Sequence, residues 1–180
     1  LYAFDITTGH TVWQSTEHAF GTWLAYSASS GLLLQAGSKN RDRAEDEVGN
    51  GLAVFDGATG TLIWRVDDDH AGPPLLYPDT IITQGTAYDL LTGAVKNRQH
   101  PLTGEQLPWK FARNYGCSTA IGCMNLLTFR SSAAGYFDLA NDGGTGNWGG
   151  FRSSCTSNLV AAEGVLNAPD YTRTCTCSYQ

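Results

Sequence analysis

Apolar residues along this chain come in short runs closed by Gly, Ser, Asn or Asp, and almost nowhere at the i, i+3, i+4, i+7 spacing of a packed helix. Residues 1–6, 11–15, 22–27, 32–36, 52–56 and 61–66 are rich in β-branched and aromatic side chains and predict strands. Residues 80–83, 86–90, 125–130, 135–139 and 158–161 predict more. The best helical stretch, 40–48, is charged all round and predicts a solvated loop or a single turn. Many short strands with turn chemistry between them predict an all-β sandwich, barrel or propeller.

An internal repeat decides among these. Ala3-Phe4-Asp5-Ile6-Thr7-Thr8-Gly9-His10-Thr11-Val12-Trp13 aligns with Val54-Phe55-Asp56-Gly57-Ala58-Thr59-Gly60-Thr61-Leu62-Ile63-Trp64. A third copy, with Asp89, Thr92 and Gly93, has Asn97 in place of Trp. Thr103-Gly104, with Trp109 one place late, is a weaker echo. In this frame Asp and Thr close a turn through side-chain to backbone bonds, and Gly supplies a positive φ. The flanking apolar segments form a hairpin. Trp13 and Trp64 then occupy the same place on the outgoing strand, available to stack on a neighbouring unit.

The frame resembles the tryptophan-docking motif of quinoprotein (PQQ)-like β-propellers, Ala-x-Asp-x-x-Thr-Gly-x-x-x-Trp. Ala3, Asp5, Thr8, Gly9 and Trp13 match every fixed position; Asp56, Thr59, Gly60 and Trp64 match with Val54 for Ala. The stretches Thr128 to Asp138 and Asn167 to Cys177 are similar to PQQ-binding-like repeat proteins of planctomycetes and other environmental bacteria. The resemblance implies a partial β-propeller of four-stranded antiparallel blades, quinoprotein alcohol dehydrogenase-like. At about 45 residues per blade the chain would hold about four. Residues 1–111 would be blades with docking motifs, and 112–180 continuing blades that carry cysteines and no such motif. The family includes quinone-dependent dehydrogenases and non-catalytic propellers, so the motif specifies packing between blades better than activity.

Composition narrows the function. The formal charge is −6, which argues against a nucleic-acid binder. The apolar runs are too short for a helical membrane span. The chain opens without Met or a basic-then-apolar leader and reads as a segment of a longer polypeptide, its targeting signal outside the window. Related dehydrogenases resemble one another in an adjacent cysteine pair, a calcium held by acidic or amide side chains, a catalytic Asp and a Trp beneath the cofactor. No Cys-Cys pair occurs here, and Trp13 and Trp64 are accounted for by docking. Haem attachment would need Cys-x-x-Cys-His, which is also absent. The loop 138–144 fails the alternating order of a calcium loop at Ala140 and reads as a Gly-rich hairpin turn. Asp67-Asp68-Asp69-His70 reads as a solvated loop, and His10, His18, His70 and His100 as surface residues near turns. No catalytic, cofactor or metal residue is therefore assigned; PQQ with calcium is an expectation for a full-length protein only.

The five cysteines lie between Cys117 and Cys177. Cys175 and Cys177 share one face of a strand, with Cα atoms about 6.6 Å apart, at the upper edge of disulfide geometry. Cys155 is therefore expected to pair with one of them and Cys117 with the other, leaving Cys123 over. Disulfides would place the protein in the periplasm or outside the cell. The resulting expectation is an exported, non-catalytic propeller module. It would present a surface to a protein or polysaccharide and pack against further blades. The alternative is part of a quinone-dependent dehydrogenase completed elsewhere.

Overall fold

The computed structural model describes residues 1–21, 23–37, 51–70, 72–100, 102–113, 116–154 and 158–169. The expected loop or turn at 40–48 lies outside them. The described residues are all-β and antiparallel, and every named element is a strand. The chain divides into two units, Leu1–Trp109 and Lys110–Gln180.

The first unit opens with the hairpin β1 (Tyr2–Phe4) and β2 (Thr11–Gln14). A four-stranded meander follows: β3 (Trp23–Ser27), β4 (Leu32–Gly37), β5 (Gly51–Asp56) and β6 (Leu62–Val66), in sheet order β3-β4-β5-β6. The third sheet is β7 (Leu75–Leu76), β8 (Thr80–Ile82) and β9 (Ala87–Asp89). The bridge Tyr88↔Val95 carries it towards the hairpin β10 (Asn97–Gln99) and β11 (Gln106–Pro108). Each sheet is open; none closes on itself.

Two layers of core hold this unit. One face of the meander sets Leu34, Leu52 and Val54 against Ile81, Tyr88 and Leu90 of the third sheet. Its other face buries Ala53 and Phe55 with Phe20, and Leu1 packs against them. The strands therefore alternate between two apolar layers, and β5 is buried throughout up to Asp56. The Arg65 guanidinium lies over the Phe20 ring at 4.7 Å and caps the second layer.

The second unit is a meander of β12 (Ile121–Gly122), β13 (Leu126–Ser131), β14 (Ala133–Asp138) and β15 (Gly144–Asn147), plus the hairpin β16 (Val160–Ala162) and β17 (Val165–Asn167). Phe111 packs against Phe129 with tilted rings and edge-to-face against Phe137, and Leu127 and Leu159 are fully buried. The strands expected from sequence are all present within a residue or two. Six short ones, β7, β10, β11, β12, β15 and β17, had no strand signal of their own.

Candidate functional site

The repeat frame builds one turn several times. Asp5 Oδ1 accepts from the Thr7 N–H at 2.9 Å, the Thr8 N–H at 2.7 Å and the Thr8 hydroxyl at 3.0 Å. Asp56 does the same with Ala58 and Thr59, and Asp89 with Leu91 and Thr92. The closing glycines Gly9, Gly60 and Gly93 have φ of 72°, 72° and 71°, a region open to Gly at little cost. The backbone and hydroxyl bonds from Thr8 hold the Asp5 carboxyl below its ordinary range. Thr59, by hydroxyl first, does so for Asp56, and Thr92 likewise for Asp89. A bulge sits just before both Trp-bearing turns, at Ala3/Phe4 and Val54/Phe55.

Each Trp reaches the turn of the next copy. Trp13 Nε1–H donates to the Gly57 carbonyl at 3.0 Å, and Trp64 Nε1–H to the Leu90 carbonyl at 2.9 Å. Both acceptors follow the turn Asp by one residue. The rings lie against the turn glycines: a Cβ on Gly60 would stand 2.5 Å from the Trp13 ring, and one on Gly93 2.7 Å from the Trp64 ring. Both Trp side chains are half-buried. Ala3 pairs across the hairpin with Trp13, and Val54 with Trp64, so a small residue backs each indole.

Two further turns carry the same geometry under different letters. At the Thr103-Gly104 echo, His100 stands where Asp would: its Nδ1 accepts from Leu102 N–H at 3.3 Å and Thr103 N–H at 3.2 Å, and Gly104 has φ 73°. In the second unit, expected to lack the motif, Asp138 accepts from the Asn141 N–H at 3.1 Å and its amide at 2.9 Å. Those bonds, the side-chain one first, lower the Asp138 carboxyl. Asp142 takes the left-handed position with φ 49°. The small and large partners are exchanged here: Tyr136 pairs with Gly146, and the Tyr136 ring covers the glycine. The 138–144 loop is thus a hairpin turn whose acid serves the backbone.

His70 is a correction. It is a buried side chain, not a surface one, with 4% of the residue exposed. Its Nδ1 faces Asp68 Oδ2 at 3.6 Å. Burial lowers its pKa against the opposing pull of Asp68. Tyr88, raised first by burial and then by the Asp68 charge, stands beside the same carboxylate. The Asp67–His70 stretch therefore turns Asp68 and His70 inward, because the β6 strand ends where the third sheet's core begins.

A groove of about 450 Å³ opens along β3 and β7. Trp23, Tyr26 and Tyr77 supply rings, Pro74 and Pro78 rigid apolar walls, and Ser27 and Ser29 hydroxyls. No charged residue lines it. Tyr26 is laid over the Gly57 backbone, where a Cβ would approach its ring to 2.7 Å, and the two serine hydroxyls lie 3.2 Å apart. Trp23 and Tyr26 remain 41% and 60% exposed, so large ring faces are open to a ligand.

Among the described residues, the turn carboxylates are already engaged by the backbone and by neighbouring side chains. Asp5, Asp56, Asp89 and Asp138 are spent on turns, and Asp79 on Thr80 and Lys96. Among the described residues no group of three acidic, His or Cys side chains converges on a metal position. Trp13 and Trp64 are engaged by backbone carbonyls. Cys117 and Cys123 are half-buried thiols, the latter donating to the Leu126 carbonyl at 3.2 Å. Cys155, Cys175 and Cys177, the expected disulfide partners, lie outside the described residues. Among those residues no helix is long and apolar enough to cross a membrane.

No protein-family model and no curated protein matches the chain. Among solved structures it is similar to the computationally designed Ika8 protein, at 16% identity and a TM-score of 0.46. The match covers 76% of this chain and 39% of that one.

Proposed function

We propose that this chain is a repeat module of the β-propeller type, non-catalytic and part of an exported bacterial protein, whose ligand face is the neutral aromatic groove along β3 and β7. The propeller reading is supported by two successive Trp-to-turn contacts with the same acceptor and the same glycine seat. The groove carries the binding reading. It is concave, uncharged and ringed by amphipathic aromatics with hydroxyls beside them, the composition of a pre-formed site that fixes orientation with a few polar groups. The ligand it suits is a neutral polysaccharide chain. Sugar rings offer flat C–H faces to Trp23 and Tyr26, and hydroxyls to Ser27 and Ser29. A strongly charged polymer would find no counter-charge in the lining.

Affinity electrophoresis through gels containing neutral glucans, mannans or xylans tests this. The protein should be retarded by at least one, and Trp23→Ala or Tyr26→Ala should abolish the retardation. Equal mobility in every neutral gel, with retention on an immobilised proline-rich peptide instead, would replace the polysaccharide with a protein ligand.

A further inference from the structure

The groove has a direction. Side chains alternate along a strand, so Trp23, Ala25 and Ser27 share one face of β3, and all three line the groove. Trp23 and Ser27 stand about 13 Å apart, four residues at about 3.4 Å each, and the small Ala25 between them leaves room for a chain lying lengthwise. At its far end β3 enters the turn 28–31, closed by the Gly31 N–H on the Ser27 carbonyl at 2.8 Å with Gly31 at φ 69°. That turn brings the exposed Ser29 back to Ser27, so that the two hydroxyl oxygens meet at 3.2 Å. The groove thus carries a ring at one end and a hydroxyl pair at the other.

Two hydroxyls hold two protons, and the bond between them uses one. One donor and one acceptor are left side by side. Two adjacent hydroxyls of a sugar ring match them: the four groups close a ring in which each donates once and accepts once, and such bonds reinforce one another. A lone sugar hydroxyl leaves half of the pair unmatched, which is costly where Ser27 is only 7% exposed.

We propose that the Ser27–Ser29 pair makes the groove selective for neutral polysaccharides with 1,4 linkages over those with 1,3 linkages. An internal 1,4-linked pyranose keeps its 2- and 3-hydroxyls free and adjacent. An internal 1,3-linked one has spent its 3-oxygen on the chain, and its 2- and 4-hydroxyls lie on either side of that linkage. Trp23 stacks on either kind of chain, and the serines tell them apart. The inference rests on the polysaccharide reading of the groove and adds the linkage to it.

Isothermal titration with 1,4-linked hexasaccharides of glucose, mannose and xylose, and with the 1,3-linked hexasaccharide of glucose, tests this. The tightest binder should be 1,4-linked and should exceed the 1,3-linked sugar by about three- to tenfold, the weight of one net hydrogen bond. Ser27→Ala and Ser29→Ala should each bring the favoured sugar down to the 1,3-linked one. They should leave the affinity for the 1,3-linked sugar unchanged, which also shows that the variants fold. A 1,3-linked sugar bound as tightly as the best 1,4-linked one, or a preference that survives both substitutions, would overturn the linkage inference and leave the polysaccharide reading standing. Binding of no hexasaccharide at all would overturn both.

Discussion

Adding one methyl group to a turn glycine separates the cost of the backbone from the cost of the indole. Gly9 and Gly93 share a left-handed conformation, φ 72° and 71°. Alanine pays the same left-handed strain at both, about 1–2 kcal/mol. Only at Gly93 does the new Cβ also meet a ring, 2.7 Å from Trp64, which adds an overpacking cost of about 1–3 kcal/mol. Gly93→Ala should therefore destabilise by about 2–5 kcal/mol and Gly9→Ala by about 1–2 kcal/mol. Trp64→Ala by itself should cost about 3 kcal/mol, the low end for a large aromatic because the side chain is only half-buried. In the Trp64→Ala background the Gly93 methyl has nothing to strike, so the double variant should be less destabilised than the sum, with a coupling of about 1–3 kcal/mol. Gly9→Ala combined with Trp64→Ala should add to within about 0.5 kcal/mol.

Urea titrations read these differences as shifts of the midpoint. With a slope of about 1–3 kcal/mol per molar urea, the Gly93 and Gly9 variants should separate by an easily measured fraction of a molar. Equal costs at the two glycines, or no coupling between Gly93 and Trp64, would mean that the indole does not rest on the turn. The same experiment on Gly60 with Trp13 should reproduce the Gly93 result, since a Cβ there would stand 2.5 Å from the ring.

Other outcomes follow from the charges and from the second unit. Asp5, Asp56 and Asp89 have carboxyls lowered by their turn bonds; the stability they contribute is present above the unfolded value near 4 and is lost as pH falls through the folded ones. Asp56→Asn should accordingly flatten the acid limb of a urea-midpoint-versus-pH curve, and an unchanged limb would remove the carboxylate from the account. His70, lowered by burial, contributes stability that is present above about pH 6.5 and is lost on acidification below it. His70→Gln should reduce the fall in urea midpoint between pH 7.5 and 5.5, whereas an identical fall would place the titration on another histidine. Gly146→Ala should cost about 1–3 kcal/mol by driving a methyl into the Tyr136 ring, and Tyr136→Ala in the same chain should relieve it.

The strands and the first three turns were legible because their signals are local. An apolar run bounded by Gly or Asn reports a strand, and Asp-x-x-Thr-Gly reports a side chain that can cap its own turn. The strands without a signal of their own depend on the neighbouring strand or turn that holds them. β10 is polar, and Lys96 just before it is held by the Ala87 carbonyl and by its bond to Asp79. β15 is Gly-Thr-Gly-Asn, a poor strand in isolation, and is held because Tyr136 lies over Gly146. The groove was invisible for the same reason. Trp23 and Tyr26 lie on β3, Pro74 to Pro78 run through and around β7 of another sheet, and only the packing of the two sheets sets them side by side. His70 looked like a loop residue because three acids precede it, yet after β6 the chain buries it beside Asp68, whose carboxylate also acts on Tyr88.

The two turns with altered letters show which part of the motif is physical necessity. What the hairpin requires is one acceptor at its first position, placed to take two consecutive backbone N–H groups, and a residue four places on that tolerates positive φ. A carboxylate meets the first demand at Asp5, Asp56 and Asp89, an imidazole Nδ1 meets it at His100, and Asp138 takes one backbone N–H together with the Asn141 amide. Glycine meets the second at Gly9, Gly60, Gly93 and Gly104, but Asp142 meets it at φ 49°, as Asp and Asn can. The Thr is replaceable as well, since Asn141 supplies both a backbone and a side-chain donor. The cross-strand pair needs one large ring and one small partner, and either strand can carry the ring: Trp13 opposite Ala3, or Tyr136 opposite Gly146. The direction of the ring is what differs in consequence. On the outgoing strand, Trp13 and Trp64 extend to the next turn and join repeats. On the incoming strand, Tyr136 folds over its own hairpin and meets Trp148 at 4.5 Å, so the same pairing rule stabilises one sheet without reaching towards another.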